Sequence, residues 1–164
     1  MKKSLFTKSI LFLLSAALLM ACATAAERAA RQTETANAVR AALADRHYRL
    51  TITQAYPRRG GSVNVSRDFF LEVKGDTLVS YLPFFGQAYR SSLSGADKGL
   101  NFTEQIRSYE VIQQKEGVSR IRLRVRNEED SYVYLLDLSD TGRASIRVLP
   151  TERDDISFDG DFDF

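Results

Sequence analysis

The 164-residue sequence has no tryptophan, one cysteine, one histidine and three prolines. Each shortage removes a class of chemistry. A Ser-His-Asp or Cys-His arrangement needs an imidazole as base, and the one imidazole, His47, stands where a helical pattern gives way to a strand pattern, a structural position. One histidine and one cysteine cannot supply the nitrogen and sulfur set of a zinc site. With Cys22 alone, no intramolecular disulfide can form, so an oxidising compartment offers no covalent staple. Gly95-Ala96-Asp97-Lys98-Gly99 lacks the spacing of a phosphate-cradling loop. The sequence therefore predicts no catalytic residue, no cofactor and no metal.

What is present begins at the start of the chain. Lys2, Lys3 and Lys8 precede an apolar run over residues 9–21, the pattern of an export signal. The run is short for a permanent span of the roughly 30 Å hydrocarbon core. Leu19-Met20-Ala21-Cys22 resembles the lipobox of bacterial lipoproteins, with Met20 bulkier than usual at its position. A cysteine is required there because its thiolate can take a diacylglycerol group as a thioether. The expectation is a signal peptide over residues 1–21, lipidation at Cys22, a helical tether over 22–45 and a β domain over 46–164. Ordinary cleavage after Ala25 is the competing reading.

Removal of residues 1–21 takes away three lysines and no acids, leaving 20 basic against 21 acidic side chains in place of the formal +2. A near-neutral chain has no broad basic field, so nucleic acid is not an expected partner. The expected partners are the membrane, through the lipid, and an envelope protein or small ligand. Residues Ala23 to Glu27 carry no dense acidic run of the kind that resembles the surface-export signal of bacterial lipoproteins, and the lipobox resemblance then implies an outer-membrane lipoprotein facing the periplasm.

Residues 23–45 are rich in helix formers, with a thin apolar stripe of Ala29, Ala36, Val39 and Leu43 that lets only the C-terminal half dock. From Tyr48 the period changes to two. Strands are predicted over 48–53, 62–66, 69–74, 78–84, 105–113, 118–126, 132–138, 144–149 and 156–164, with turns at Pro57 to Gly61, Gly75-Asp76 and Asp140 to Gly142. Short strands with local turns favour one antiparallel β domain of about eight strands, as a curved sheet, half-barrel or sandwich.

Two segments are candidate binding surfaces. Tyr81, Phe84, Phe85 and Tyr89 surround Pro83, which cannot donate a ladder hydrogen bond, and Gly86, which permits a bend. Consecutive aromatics cannot both face a core from a regular strand, so one of Phe84 and Phe85 would be exposed or line a pocket; packing of both around an irregular loop is the plainer reading. The second segment is a row of Arg120, Arg122, Arg124 and Arg126, alternating with apolar residues. A five-residue connection over 127–131 would set Arg124 opposite Tyr134 and Arg126 opposite Tyr132, giving Arg-Tyr stacks that could meet an anion or acidic glycan. A solvated face is the plainer reading of that row. The aspartates of the C-terminal tail read as the polar face of a final strand carrying Ile156, Phe158, Phe162 and Phe164, because they lack the glycine and glutamate spacing of a calcium loop. Glu128-Glu129-Asp130 sits in a turn and marks no cleft for glycoside cleavage.

The block from Gly75 to Tyr89 with Ser80-Tyr81-Leu82-Pro83-Phe84-Phe85-Gly86 at its centre, then Gly99-Leu100-Asn101-Phe102, then Arg153 with Ile156 to Gly160, resembles domain of unknown function family 4251. The resemblance runs from about Thr33 to the C-terminus. It implies an exported lipoprotein of Bacteroidota and supplies no activity, substrate or catalytic residue. The function expected is a membrane-anchored envelope protein with a non-catalytic binding domain; a carrier of an apolar ligand in a β cavity and a hydrolytic enzyme are the alternatives.

Overall fold

A computed structural model of the chain describes residues 25–85, 100–115 and 117–164. Cys22, Tyr89 and the Gly86 bend lie outside them. A helix, α1, occupies 25–44, followed by nine strands: β1 (His47–Pro57), β2 (Val63–Asn64), β3 (Phe70–Lys74), β4 (Thr77–Leu82), β5 (Leu100–Lys115), β6 (Val118–Arg126), β7 (Ser131–Ser139), β8 (Arg143–Pro150) and β9 (Ile156–Asp163). The chain divides into two compact units at Thr35/Ala36. In the first, Arg31 pairs with Glu27 at 2.7 Å one turn away. The second contains the last turns of α1 and every strand.

All pairings are antiparallel, in the order β2-β1-β3-β4-β5-β6-β7-β8-β9 with β1 also paired to β9. That last ladder, from Arg49↔Asp163 to Pro57↔Ile156, closes eight strands into a barrel. The two-residue β2 is an extra strand laid on the end of β1 at Gln54↔Asn64. Closure follows from alternation. In β6 to β9 every second residue is buried, and a sheet with one apolar face removes its edges by curling on that face.

Eight strands leave an interior that side chains can fill, and Leu50, Leu71, Leu123, Tyr134, Ile146 and Phe158 fill it. A buried relay crosses it: the Tyr134 hydroxyl donates to Ser80 Oγ at 3.1 Å, and Ser80 donates to the Leu100 carbonyl at 2.6 Å. Val39 of α1 joins the same core with Leu43 and Ala42 against it, and Arg40 pairs with Asp140 in the β7–β8 turn at 2.6 Å. The thin stripe docks where the sequence predicts, in the C-terminal half of the helix.

Turns fall at the predicted punctuation. Gly75 and Gly142 take positive φ (59° and 84°) in the β3–β4 and β7–β8 turns, a conformation that glycine adopts without a Cβ clash. β4 ends at Leu82, short of the expected residue 84, because Pro83 has no N–H to give the ladder. The final strand alternates as expected through Phe162, but Phe164 lies past its end and is 69% exposed, stacked on Phe162 at 5.5 Å.

Candidate functional site

On the outer wall at β3 and β4 the exposed Tyr81 stands beside the half-buried Phe69 and Phe70. Phe70 and Tyr81 are register partners, and because neighbours along a strand face opposite ways, Leu71 and Leu82 point inward while they point out. The Tyr81 ring lies 5.4 Å from Phe69 and 5.7 Å from Phe70, and the Arg49 guanidinium sits 3.6 Å over the Phe70 ring. Tyr81 remains 43% exposed. Beside it a shallow cleft of about 280 Å³ is lined mainly by Phe70, Val79, Asn101, Phe102 and Thr103. The result is a flat aromatic ledge rimmed by an amide and a hydroxyl, held in place by stacking rather than by burial.

Phe84 and Phe85, both past the end of β4, differ in exposure, so packing of both around the loop does not occur. Phe84 packs against the core, with Arg153 over its ring at 5.4 Å, whereas Phe85 is 48% exposed. Phe84 is half-buried; Tyr81 and Phe85 are the exposed aromatics among the described residues of the segment. Arg153 belongs to a buried polar lock between two turns. Asp130, its side chain almost fully enclosed, accepts backbone N–H bonds from Ser131, Thr151 and Glu152 at 2.6–3.2 Å and lies 3.8 Å from Arg153. Arg153 also reaches Glu129 at 3.4 Å. A buried carboxylate with several donors and a cation is one of the few forms in which burying a charge is tolerable.

The arginine row does not form the expected stacks. The β6–β7 connection has four residues, 127–130, because the side-chain Oδ1 of Asn127 accepts the N–H groups of Glu129 and Asp130 at 2.9 and 2.8 Å and tightens the turn. The register moves by one: Arg124 faces Val133 and Arg126 faces Ser131, while Tyr134 pairs with Leu123 and Tyr132 with Val125 inside the barrel. A one-residue slip exchanges faces. The row is instead held by carboxylates. Arg120 grips Asp137 with two bonds of 2.5 and 2.6 Å, and Arg122 and Arg124 share Glu110 at 3.2 and 2.6 Å. Arg126 is exposed with no ion pair among the described residues.

His47 is exposed at the first position of β1, across from Lys74. The tail aspartates are dispersed: Asp154 and Asp155 lie 3.6 and 3.8 Å from Arg58, and Asp159 accepts the Tyr56 hydroxyl at 2.8 Å. Among the described residues no group of three His, Cys, Asp or Glu could hold a metal ion, and no helix is long and apolar enough to cross a membrane.

The sequence reading missed a cleft of about 520 Å³ between the end of α1 and the β5–β6 hairpin, lined by Leu43, Ala44, Tyr109, Val111, Gln114 and Ile121 among others. Burial raises the phenol pKa of Tyr109, which meets the Tyr48 hydroxyl at 3.4 Å and carries the Arg46 guanidinium 4.4 Å above its ring. Its walls come from segments some seventy residues apart, so no local pattern announces it.

Comparison with family models matches residues 30–162 to a domain of unknown function, DUF4251. The chain belongs to the DUF4251 family. A crystal structure of a DUF4251 family protein from Bacteroides eggerthii has the same fold, with a TM-score of 0.61 at 16% identity over 78% of this chain and 86% of that one. Comparison with curated proteins gives no match. Three of the residues that carry the family resemblance in this DUF4251 chain serve the barrel: Ser80 bonds Leu100, Arg153 covers Phe84, and Gly160 lies against the backbone of Thr51 and Ile52.

Proposed function

We propose that this DUF4251 chain is an envelope lipoprotein whose barrel is a rigid, non-catalytic scaffold for binding, with Tyr81, Phe70 and Phe85 as the surface that meets an envelope protein or small ligand. The ledge carries the reading. Its rings are ordered by one another and by Arg49, so contact with a partner would cost little side-chain entropy, and flat aromatic area is what binding surfaces use for affinity. The interior-carrier alternative has less support because large side chains occupy the barrel. Anchoring rests on the lipobox-like Leu19 to Cys22 and the short apolar run before it.

Two experiments test the halves separately. A photo-crosslinking amino acid at position 81 or 85 in intact cells should give a discrete adduct that the same probe at Ser145, on the opposite wall, does not give. Absence of adducts at 81 and 85, or equal adducts at all three, removes the ledge. Cys22→Ala should abolish incorporation of labelled lipid and carbonate-resistant membrane association; a wild-type chain that takes up no label ends the anchor reading and leaves the ledge standing.

A further inference from the structure

Barrel closure leaves one edge open. β4 pairs with β5 only from Leu82↔Leu100 to Thr77↔Gln105, and after one more bond, Ile106 N–H to the Asp76 carbonyl at 2.8 Å, β5 continues to Lys115 with β6 as its sole ladder partner among the described residues. Residues 107–115 thus present backbone donors and acceptors on the side away from β6. The outer part of this edge is exposed: Val111 by 57% and Ile112 by 41%, with Val118 across the hairpin tip by 42%. An unpaired strand with apolar side chains is a template for strand addition.

The two faces of the hairpin differ. Inward lies the cleft lined by Leu43, Ala44, Val111 and Ile121. Outward, β6 carries Arg120, Arg122, Arg124 and Arg126 against two carboxylates, Glu110 and Asp137, while Lys115 of β5 stands at the cleft and Arg107 at the register shift between Ile106 and Ser108. Arg107 and Lys115, on the edge strand itself, form no ion pair among the described residues. A strand laid beside β5 would direct alternate side chains to these faces, apolar ones to the cleft and acidic ones to the cations.

We propose that residues 107–115 of β5 form a β-augmentation site for an extended peptide segment in which acidic and apolar residues alternate. A second copy of this chain is a poorer occupant, since antiparallel pairing of two such edges about Val111 sets Arg107 against Lys115. The proposal deepens the binding-domain reading but uses a surface other than the aromatic ledge, so either can fail alone.

The test uses the purified chain and three labelled peptides of one length: valine alternating with glutamate, valine alternating with lysine, and the glutamate peptide methylated at alternate backbone nitrogens. Fluorescence anisotropy should show the glutamate peptide binding, with affinity falling as salt rises, and each of the other two binding at least about tenfold more weakly. Arg107→Glu with Lys115→Glu should weaken the glutamate peptide by a similar factor with melting unchanged, whereas Tyr81→Ser should leave it unaffected. Equal binding of the acidic and basic peptides, indifference to backbone methylation, or no binding of the glutamate peptide overturns the site. So does sedimentation as a dimer that Ile112→Lys dissociates, which would assign the edge to a second copy.

Discussion

Gly160 is the residue at which barrel closure is most exposed to a single methyl group. It pairs with Ile52 on β1, where the β1–β9 register shifts between Ile52 and Gln54. A Cβ built on it would overlap the Thr51 carbonyl oxygen and lie 3.2 Å from the Thr51 carbonyl carbon and 3.3 Å from Ile52 Cα. All three atoms are backbone, so no rotamer change relieves the contact; β9 must move from β1 along the ladder that closes the barrel. Its φ is not in the left-handed region, and the requirement is therefore for space. Overpacking of this kind costs about 1–3 kcal/mol, and a backbone clash belongs at the upper end. A domain of this size melts roughly 3–5 °C lower per kcal/mol, so Gly160→Ala should lose on the order of 10 °C. Thermal melts followed by circular dichroism measure it. Gly61→Ala is the control, since a Cβ there meets nothing within 4 Å and Gly61 has no positive φ. A Gly160→Ala chain melting within about 2 °C of wild type would refute the claim that close approach at this seam limits the fold.

Asp130→Ala should cost about 2–4 kcal/mol in urea unfolding, because three backbone N–H groups lose a buried acceptor and Arg153 loses a neighbouring charge. Phe84→Ala should cost about 2–4 kcal/mol, while Phe85→Ala should stay within about 1 kcal/mol of wild type; equal losses would mean that both rings are core. Burial raises the phenol pKa of Tyr48 and of Tyr134 above the ordinary value near 10. Because the unfolded phenols ionise first, the stability these groups contribute is complete below about pH 10 and is lost as pH climbs further. The urea midpoint should therefore fall steeply between about pH 10 and 11.5, and Tyr134→Phe should flatten part of that fall.

The sequence by itself determined most of the strands, because alternation such as Ile121, Leu123 and Val125 against Arg120, Arg122 and Arg124 is a local record of which face meets a core. It also placed features set by residue chemistry, in that the turns take Gly75 and Gly142 and the helix docks by Val39 and Leu43; the strand expected to reach residue 84 instead stops at Leu82, because Pro83 cannot join the ladder. Alternation stated only that Phe84 and Phe85 could not both face the core from a regular strand; both lie past the end of β4, so their different exposure was decided by the tertiary structure. Only the tertiary structure decided that the sheet closes, since nothing within β1 or β9 states that residues a hundred positions apart will pair. It corrected the β6–β7 register, where one side-chain cap at Asn127 shortened a loop by a residue and sent both tyrosines inside. The lock of Asp130 and Arg153, the ledge of Phe70 and Tyr81 and the open edge of β5 are likewise products of strand length and closure. Periodicity records the face that a residue shows; it carries no information about which strand lies beside it or where that neighbour stops.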